Sequence, residues 1–161
     1  MNDQHDPYRL GRRRADDVED VAWRFSLPVV VRFRDLDAFG HVNNAVYLTY
    51  CEMARVAYFH TLLGVATPED MSFILARAEA DYRLPVELTD RLEVRVRAVE
   101  VGGKSFTLAY QMVVARDGAE RVACDAISVQ VCYDYTARRS VPVPAALTAA
   151  AEAFEGRSLR R

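Results

Sequence analysis

No run of apolar residues in this chain approaches the roughly 20 needed to span a bilayer as a helix, so the reading starts without a membrane partner. The opening stretch, MNDQHDPYRLGRRRADDVED, lacks the apolar centre of a secretory signal. Cysteine is scarce. Cys51, Cys124 and Cys132 stand among apolar neighbours and at none of the spacings that ligate zinc, which excludes a disulfide framework and predicts reduced core thiols in a cytoplasmic protein. An excess of basic charge is also missing. A formal net charge of −2 gives no basic face for nucleic acid, and the arginines at 12–14 and 160–161 read as solvated ends. Histidine is limited to His5, His41 and His60, and nothing repeats internally. What remains is an ordinary globular composition, 51% hydrophobic and 27% charged over 161 residues, enough for one domain with a core of its own.

The informative stretch is VRFRDLDAFGHVNNAVYLTY, residues 31–50. Val29, Val31 and Phe33 alternate with Arg32 and Arg34, the period of a half-buried strand expected over 26–34. Asp35, Asp37 and Gly40 then make a turn, and His41, Asn43 and Asn44 follow it. From 46 to 63 the apolar residues Tyr47, Tyr50, Cys51, Ala54, Ala57, Tyr58 and Leu62 fall at helical spacing, with Gly64 as a natural stop. Carboxylates, an imidazole and a helix start therefore meet within a few residues. A helix start presents unpaired N–H groups and partial positive charge, which can hold a developing oxyanion beside a carboxylate. Taken alone, both aspartates also fit as turn formers, since Asp often bonds its own backbone in loops.

The pattern D-x-D-x-x-G-H-V-N-N-x-x-Y-L-x-Y, after a strand and before a helix, resembles the 4-hydroxybenzoyl-CoA thioesterase branch of the hotdog-fold thioesterases over about residues 25–135. The resemblance implies an α+β hotdog fold, a five-stranded antiparallel sheet wrapped around one long central helix. It implies an acyl-CoA thioesterase that yields a free acid and coenzyme A, with coenzyme A entering only as part of the substrate and no resident cofactor or metal. Asp37 matches the family's catalytic aspartate, as nucleophile or as the base that orients a water. Asn44 matches the residue whose backbone N–H polarises the carbonyl, and His41 has an auxiliary part. Asp35 is read as a brace for the loop and Asn43 as a tie in the turn next to substrate. Tyr47 is core and pocket wall, and Lys104 with Ser105 lies where relatives place bases for the nucleotide phosphates. Here Gly102 and Gly103 replace two of those bases, so Arg83, Arg138 or Arg139 can share the task.

The rest of the chain fits this frame. Residues 1–22 form a polar tail, expected to be disordered, with Trp23 and Phe25 pinning its end; 23–136 form the domain; 137–161 form an extension with a short helix near 145–154. A strand over 72–84 carries Ile74, Ala76, Ala78, Ala80, Tyr82 and Leu84 on one face, and its alanines are expected to pack against Ala54 and Ala57 of the helix. A strand over 91–101 turns Leu92, Val94, Val96 and Ala98 inward. Gly102-Gly103 and Asp117-Gly118 mark hairpins. Strands over 105–115 and 120–135 carry Phe106, Leu108, Tyr110, Met112 and Val114, then Ile127, Val129, Val131 and Tyr133, on single faces. Glu52 and Arg55, three apart, read as a helix-surface or interface pair. A long strand left at a sheet edge invites pairing with a second copy, and relatives join there as dimers or tetramers. Two other functions fit the same cavity: a non-catalytic acyl-thioester binding module, and a dehydratase, for which the histidine count is unfavourable.

Overall fold

The computed structural model describes residues 22–64 and 72–160; the tail expected over 1–22 lies, but for its last residue, outside them. Five long strands make an antiparallel sheet in the order β1-β3-β4-β5-β2: β1 Phe25–Val30, β2 Phe73–Tyr82, β3 Arg91–Val101, β4 Ser105–Arg116 and β5 Ala119–Asp134. A two-residue strand not expected from the sequence, β6 Arg139–Ser140, pairs with the end of β5. The long helix α1, Asn44–Leu63, lies against the sheet, and a short helix α2, Ala145–Glu155, packs on α1 and β3. One helix against one curled sheet is the hotdog arrangement.

The turns follow their chemistry. Asp117 and Gly118 both have positive φ, 52° and 74°, as a two-residue turn matched to the strand twist requires. Gly64 ends α1 at φ 65° and donates its N–H to the His60 carbonyl. The expected inward rows of β3 and β4 are buried, from Leu92 to Ala98 and from Phe106 to Val114. Trp23 covers the Arg97 guanidinium at 4.4 Å, and Phe25 meets Tyr58 edge-on.

Three expectations are corrected, one on β1 and two on β2. β1 stops at Val30. The chain then curls into a single 3-10 turn, Phe33–Asp35, because the Asp35 carboxylate takes the Arg32 N–H and guanidinium, which leaves Phe33 82% exposed. On β5 the row Ile127, Val129, Val131 and Tyr133 lies on one face as expected and is half exposed; the helix side carries Cys124, Ala126, Ser128, Gln130 and Cys132. On β2 a bulge between Leu75 and Arg77 breaks the alternation, so Ile74 and Ala76 do not share a face with Ala80. Ala76 and Ala78 do not pack on α1 either, since both are exposed; Ala80 is half buried against the core. The helix lies instead on β3 and β1. It meets β2 through rings near its two ends, Tyr47 with Tyr82 and Phe59 with Phe73. Arg55 does pair with Glu52, Nη2 to Oε1 at 3.5 Å, and is the buried member of that pair at 7% exposed.

α2 is docked. Tyr58 donates its hydroxyl to Glu155 Oε1 at 2.6 Å, and the Ala98 N–H donates to the same oxygen at 2.9 Å. Burial and this carboxylate raise the Tyr58 phenol well above its ordinary pKa.

Candidate active site

The loop between β1 and α1 is built from its own polar side chains. Asp35, 3% exposed, is its anchor. Its carboxylate accepts from the Arg32 backbone and guanidinium and from the Tyr50 hydroxyl at 2.8 Å, while its carbonyl accepts the Asn43 N–H. The Arg32 bonds hold its pKa down at about 2. The bracing role read from the sequence is the role seen here.

Asp37, half buried, sits at the neck of the following turn. Its N–H donates to the His41 carbonyl at 2.7 Å, and its Oδ1 accepts from Phe39 N at 2.8 Å and His41 N at 3.3 Å. Gly40 closes the turn at φ 81°, a conformation that a side chain would strain. Oδ1 is thus a turn former, and Oδ2 takes no hydrogen bond from a described residue. His41 pairs its backbone with Glu87, and the Val42 N–H bonds Val86, so the loop is sewn to residues 85–90. Arg116 in turn ties that segment by pairing with Asp90 and bonding the Pro85 carbonyl.

Asn43 caps α1, its Oδ1 accepting the Ala45 N–H at 2.9 Å. Asn43→Ala should therefore lower stability by about 1 kcal/mol in a urea melt, and Asn43→Ser should restore most of it. Asn44 is the first helical residue, two earlier than the sequence predicts. Its N–H has no acceptor among the described residues, while its carbonyl takes the Tyr82 hydroxyl at 3.0 Å. Tyr47 is a core residue at 3% exposure, its ring edge on Tyr82.

Asp37, His41, Asn43 and Asn44 therefore come together at one helix start. Lys104 and Ser105 do not join them within the chain. They open β4 at the far end of β3, roughly 35 Å from the loop that Asp37 occupies at the rise of an extended strand. There Lys104 Nζ reaches Ser140 Oγ at 3.5 Å, beside Arg139.

Two grooves run between α1 and the β2 side of the sheet. The larger, about 950 Å³, lies between α1, the start of β2 and residues 133–136. The smaller, about 190 Å³, begins at Leu48 and Thr49, one turn past the helix start, and Asp37 is in the lining of neither. Both share Glu52, Arg55 and Leu75. Arg55, Tyr110 and Ser128, polar residues of the smaller groove, were not singled out by the sequence as site residues. One signal could have found Arg55, because Tyr47, Cys51, Arg55 and Phe59 follow each other at four-residue intervals on the buried face.

Comparison with known proteins gives the same frame. The family profile described as Thioesterase-like superfamily matches residues 31–151. The uncharacterized protein YsmA of Bacillus subtilis is 33% identical over 90 residues, 56% of this chain and 61% of its own length. The long-chain acyl-CoA thioesterase FadM of Escherichia coli is 29% identical over 115 residues, 70% of this chain and 86% of its own. A crystal structure of a Thermus thermophilus thioesterase complexed with coenzyme A and Zn superposes with a TM-score of 0.74 and 37% identity, covering 85% of this chain and 98% of that one.

Proposed function

The chain belongs to the thioesterase-like superfamily, and on that footing we propose that it is an acyl-CoA thioesterase whose reaction centre lies between Asp37 and the first N–H of α1. One observation carries the reading: the turn that fixes the Asp37 carboxylate through Oδ1 ends at a helix whose leading N–H, that of Asn44, has no acceptor among the described residues. A thioester carbonyl oxygen placed at that N–H gains a donor that strengthens as negative charge develops. The carbonyl carbon then faces Asp37 Oδ2. Either Oδ2 attacks it and expels coenzyme A as thiolate, leaving an acyl–aspartyl anhydride for water to cleave, or Oδ2 removes a proton from a water that attacks in its place. Both routes end at a free acid and a thiol. The reaction calls on no resident cofactor. Release of free thiol from a panel of acyl-CoAs is the direct test, and binding of those thioesters with no turnover would favour the non-catalytic module.

The reading includes a second subunit. β2 is an edge strand exposing Ile74, Leu75 and Tyr82, and the uncovered side of α1 exposes Leu48, Met53 and Val56 next to it. Together they make an apolar face of the kind that marks association. Asp37 lies at the end where β2 finishes, since Tyr82 reaches Asn44. Lys104 lies at the end where β2 begins, since Phe73 pairs with Cys132, whose N–H bonds the Lys104 carbonyl. Antiparallel pairing of two β2 strands sets the beginning of one beside the end of the other. Lys104 of the partner subunit would thereby serve Asp37 of this one, with the adjacent Arg138 and Arg139 offering charge to the nucleotide phosphates. Arg83 is already paired with Asp125 at 2.5 Å. Light scattering on a sizing column should therefore give a mass of at least twice 18.2 kDa at micromolar concentration; a monomer there would remove the shared site. Three free, buried thiols, Cys51, Cys124 and Cys132, support placing the protein in the cytoplasm. No described helix is long and apolar enough to cross a membrane.

A further inference from the structure

The smaller groove ends on polar atoms, which a pocket for plain alkyl chains does not need. Its walls include Leu48, Thr49 and Leu75, and its floor brings together Arg55, Tyr110 and Ser128. Tyr110 and Ser128 share a hydrogen bond of 2.7 Å, and Gln130 Nε2 donates to Ser128 Oγ at 2.6 Å. Gln130 Oε1 is buried without a partner. Arg55, 93% of which is out of solvent by the same measure that leaves it 7% exposed, makes two contacts, both long: Nη1 to the Tyr110 hydroxyl and Nη2 to Glu52 Oε1, each 3.5 Å. Glu52 itself is mostly exposed. A buried guanidinium is costly unless acceptors meet its N–H groups at close range. Here they are met at the outer limit, and the remaining donors border the groove.

We propose that this floor reads the far end of the acyl group, and that the preferred substrates are acyl-CoAs whose acyl chain ends in an oxygen acceptor, a carboxylate above all. The inference rests on the thioesterase reading and adds its substrate class. Depth sets the length. Arg55 stands 11 residues after Asn44, about 16 Å along the axis, and a helical side chain leans back toward the helix start. That leaves roughly 10 Å between the Asn44 N–H and the guanidinium, the span of an extended chain of about six to eight carbons. A carboxylate arriving there replaces the distant Glu52 contact with a fork-to-fork pair and gains one hydroxyl donor, that of Tyr110 when Ser128 donates to it. Burial pushes the Tyr110 phenol up to about 12, so it meets the ligand as a neutral donor.

Three thioesters of equal length separate the possibilities: hexanoyl-CoA, 6-hydroxyhexanoyl-CoA and adipyl-CoA. With the full-length protein, kcat/KM should rise in that order, adipyl exceeding hexanoyl by roughly tenfold or more. Tyr110→Phe, which removes one oxygen and keeps the ring, should shrink the adipyl-to-hexanoyl ratio several-fold, and Arg55→Gln should bring it near unity. Equal or reversed order in the wild type, or a ratio that survives both substitutions, overturns the proposal while leaving thioester hydrolysis standing. The matching non-hydrolysable thioethers, titrated by calorimetry, read the same ratio without turnover. A preference for the adipyl thioether in the absence of any hydrolysis would support the floor and remove the catalytic reading, and no preference would overturn the floor alone.

Discussion

Asp37→Asn leaves a folded protein whose kcat for acyl-CoA hydrolysis is lower by about three orders of magnitude, with KM little changed. The substitution is chosen for what it keeps. Asn retains an Oδ1 that can accept from Phe39 N and His41 N, so the turn closed by Gly40 survives and the helix start stays where it is. What disappears is the negative charge on Oδ2, which both the nucleophilic and the general-base routes require. Loss of such a group costs kcat rather than binding. A role confined to the turn predicts the opposite, because Asn forms this turn as well as Asp does. Thiol release measured beside a thermal melt separates the two. Hydrolysis undiminished in a variant with wild-type Tm would sink the assignment, whereas Asp37→Ala is the wrong probe because it disturbs turn and charge together.

The parts of this site that could be read in the sequence are those governed by local chemistry. Gly40 makes the turn, Gly64 stops the helix, and Asp117-Gly118 turns, each rule acting over a few residues and holding here; Asn43, read as a tie in the turn, is in fact the cap, which is why the helix starts two residues earlier than expected. What the sequence hid depends on a partner far along the chain. The helix sits toward β3 and β1 and meets β2 through ring pairs near its two ends, contacts between residues far apart in the chain. The bulges near Ala76 and Val99 each shift a strand by one residue, and one residue exchanges the faces. β5 shows the general difficulty. Ranking by hydrophobicity favours Ile127, Val129 and Val131, yet a sheet that walls a pocket puts small and polar residues inside. Ser128 and Gln130 therefore share the buried row with Cys124 and Ala126. Patterns tuned to a dry core misread a face that buries polar side chains.

Replacing Asp35 by Ala should have the largest effect on stability in the loop, and an effect that depends on pH. The carboxylate serves the Arg32 backbone, the Arg32 guanidinium and the Tyr50 hydroxyl at once. Removing it strands a buried phenol whose pKa burial already raises and frees the chain that forms the 3-10 turn. Loss of charge-assisted bonds to a buried acceptor costs about 3 kcal/mol, or a fall in Tm of roughly 6–12 °C for a domain of this size. The sign with pH follows from the depressed pKa. Asp35 ionises at about 2 in the folded protein against 3.8 ordinarily, so the unfolded chain takes up the proton first. The contribution is complete above about pH 5 and is lost as pH falls through 3.8 toward 2. Urea melts of wild type and Asp35→Ala should therefore differ widely at neutral pH and converge between about pH 4 and pH 2. A gap that stays constant over that range would mean that packing, not the ionised carboxylate, holds the loop. Because the Asp35 carbonyl also receives the Asn43 N–H, a loosened turn should lower kcat in the variant at temperatures where its melt shows the rest of the fold intact. That loss would tie the stability of the anchor to the placement of Asp37 two residues on.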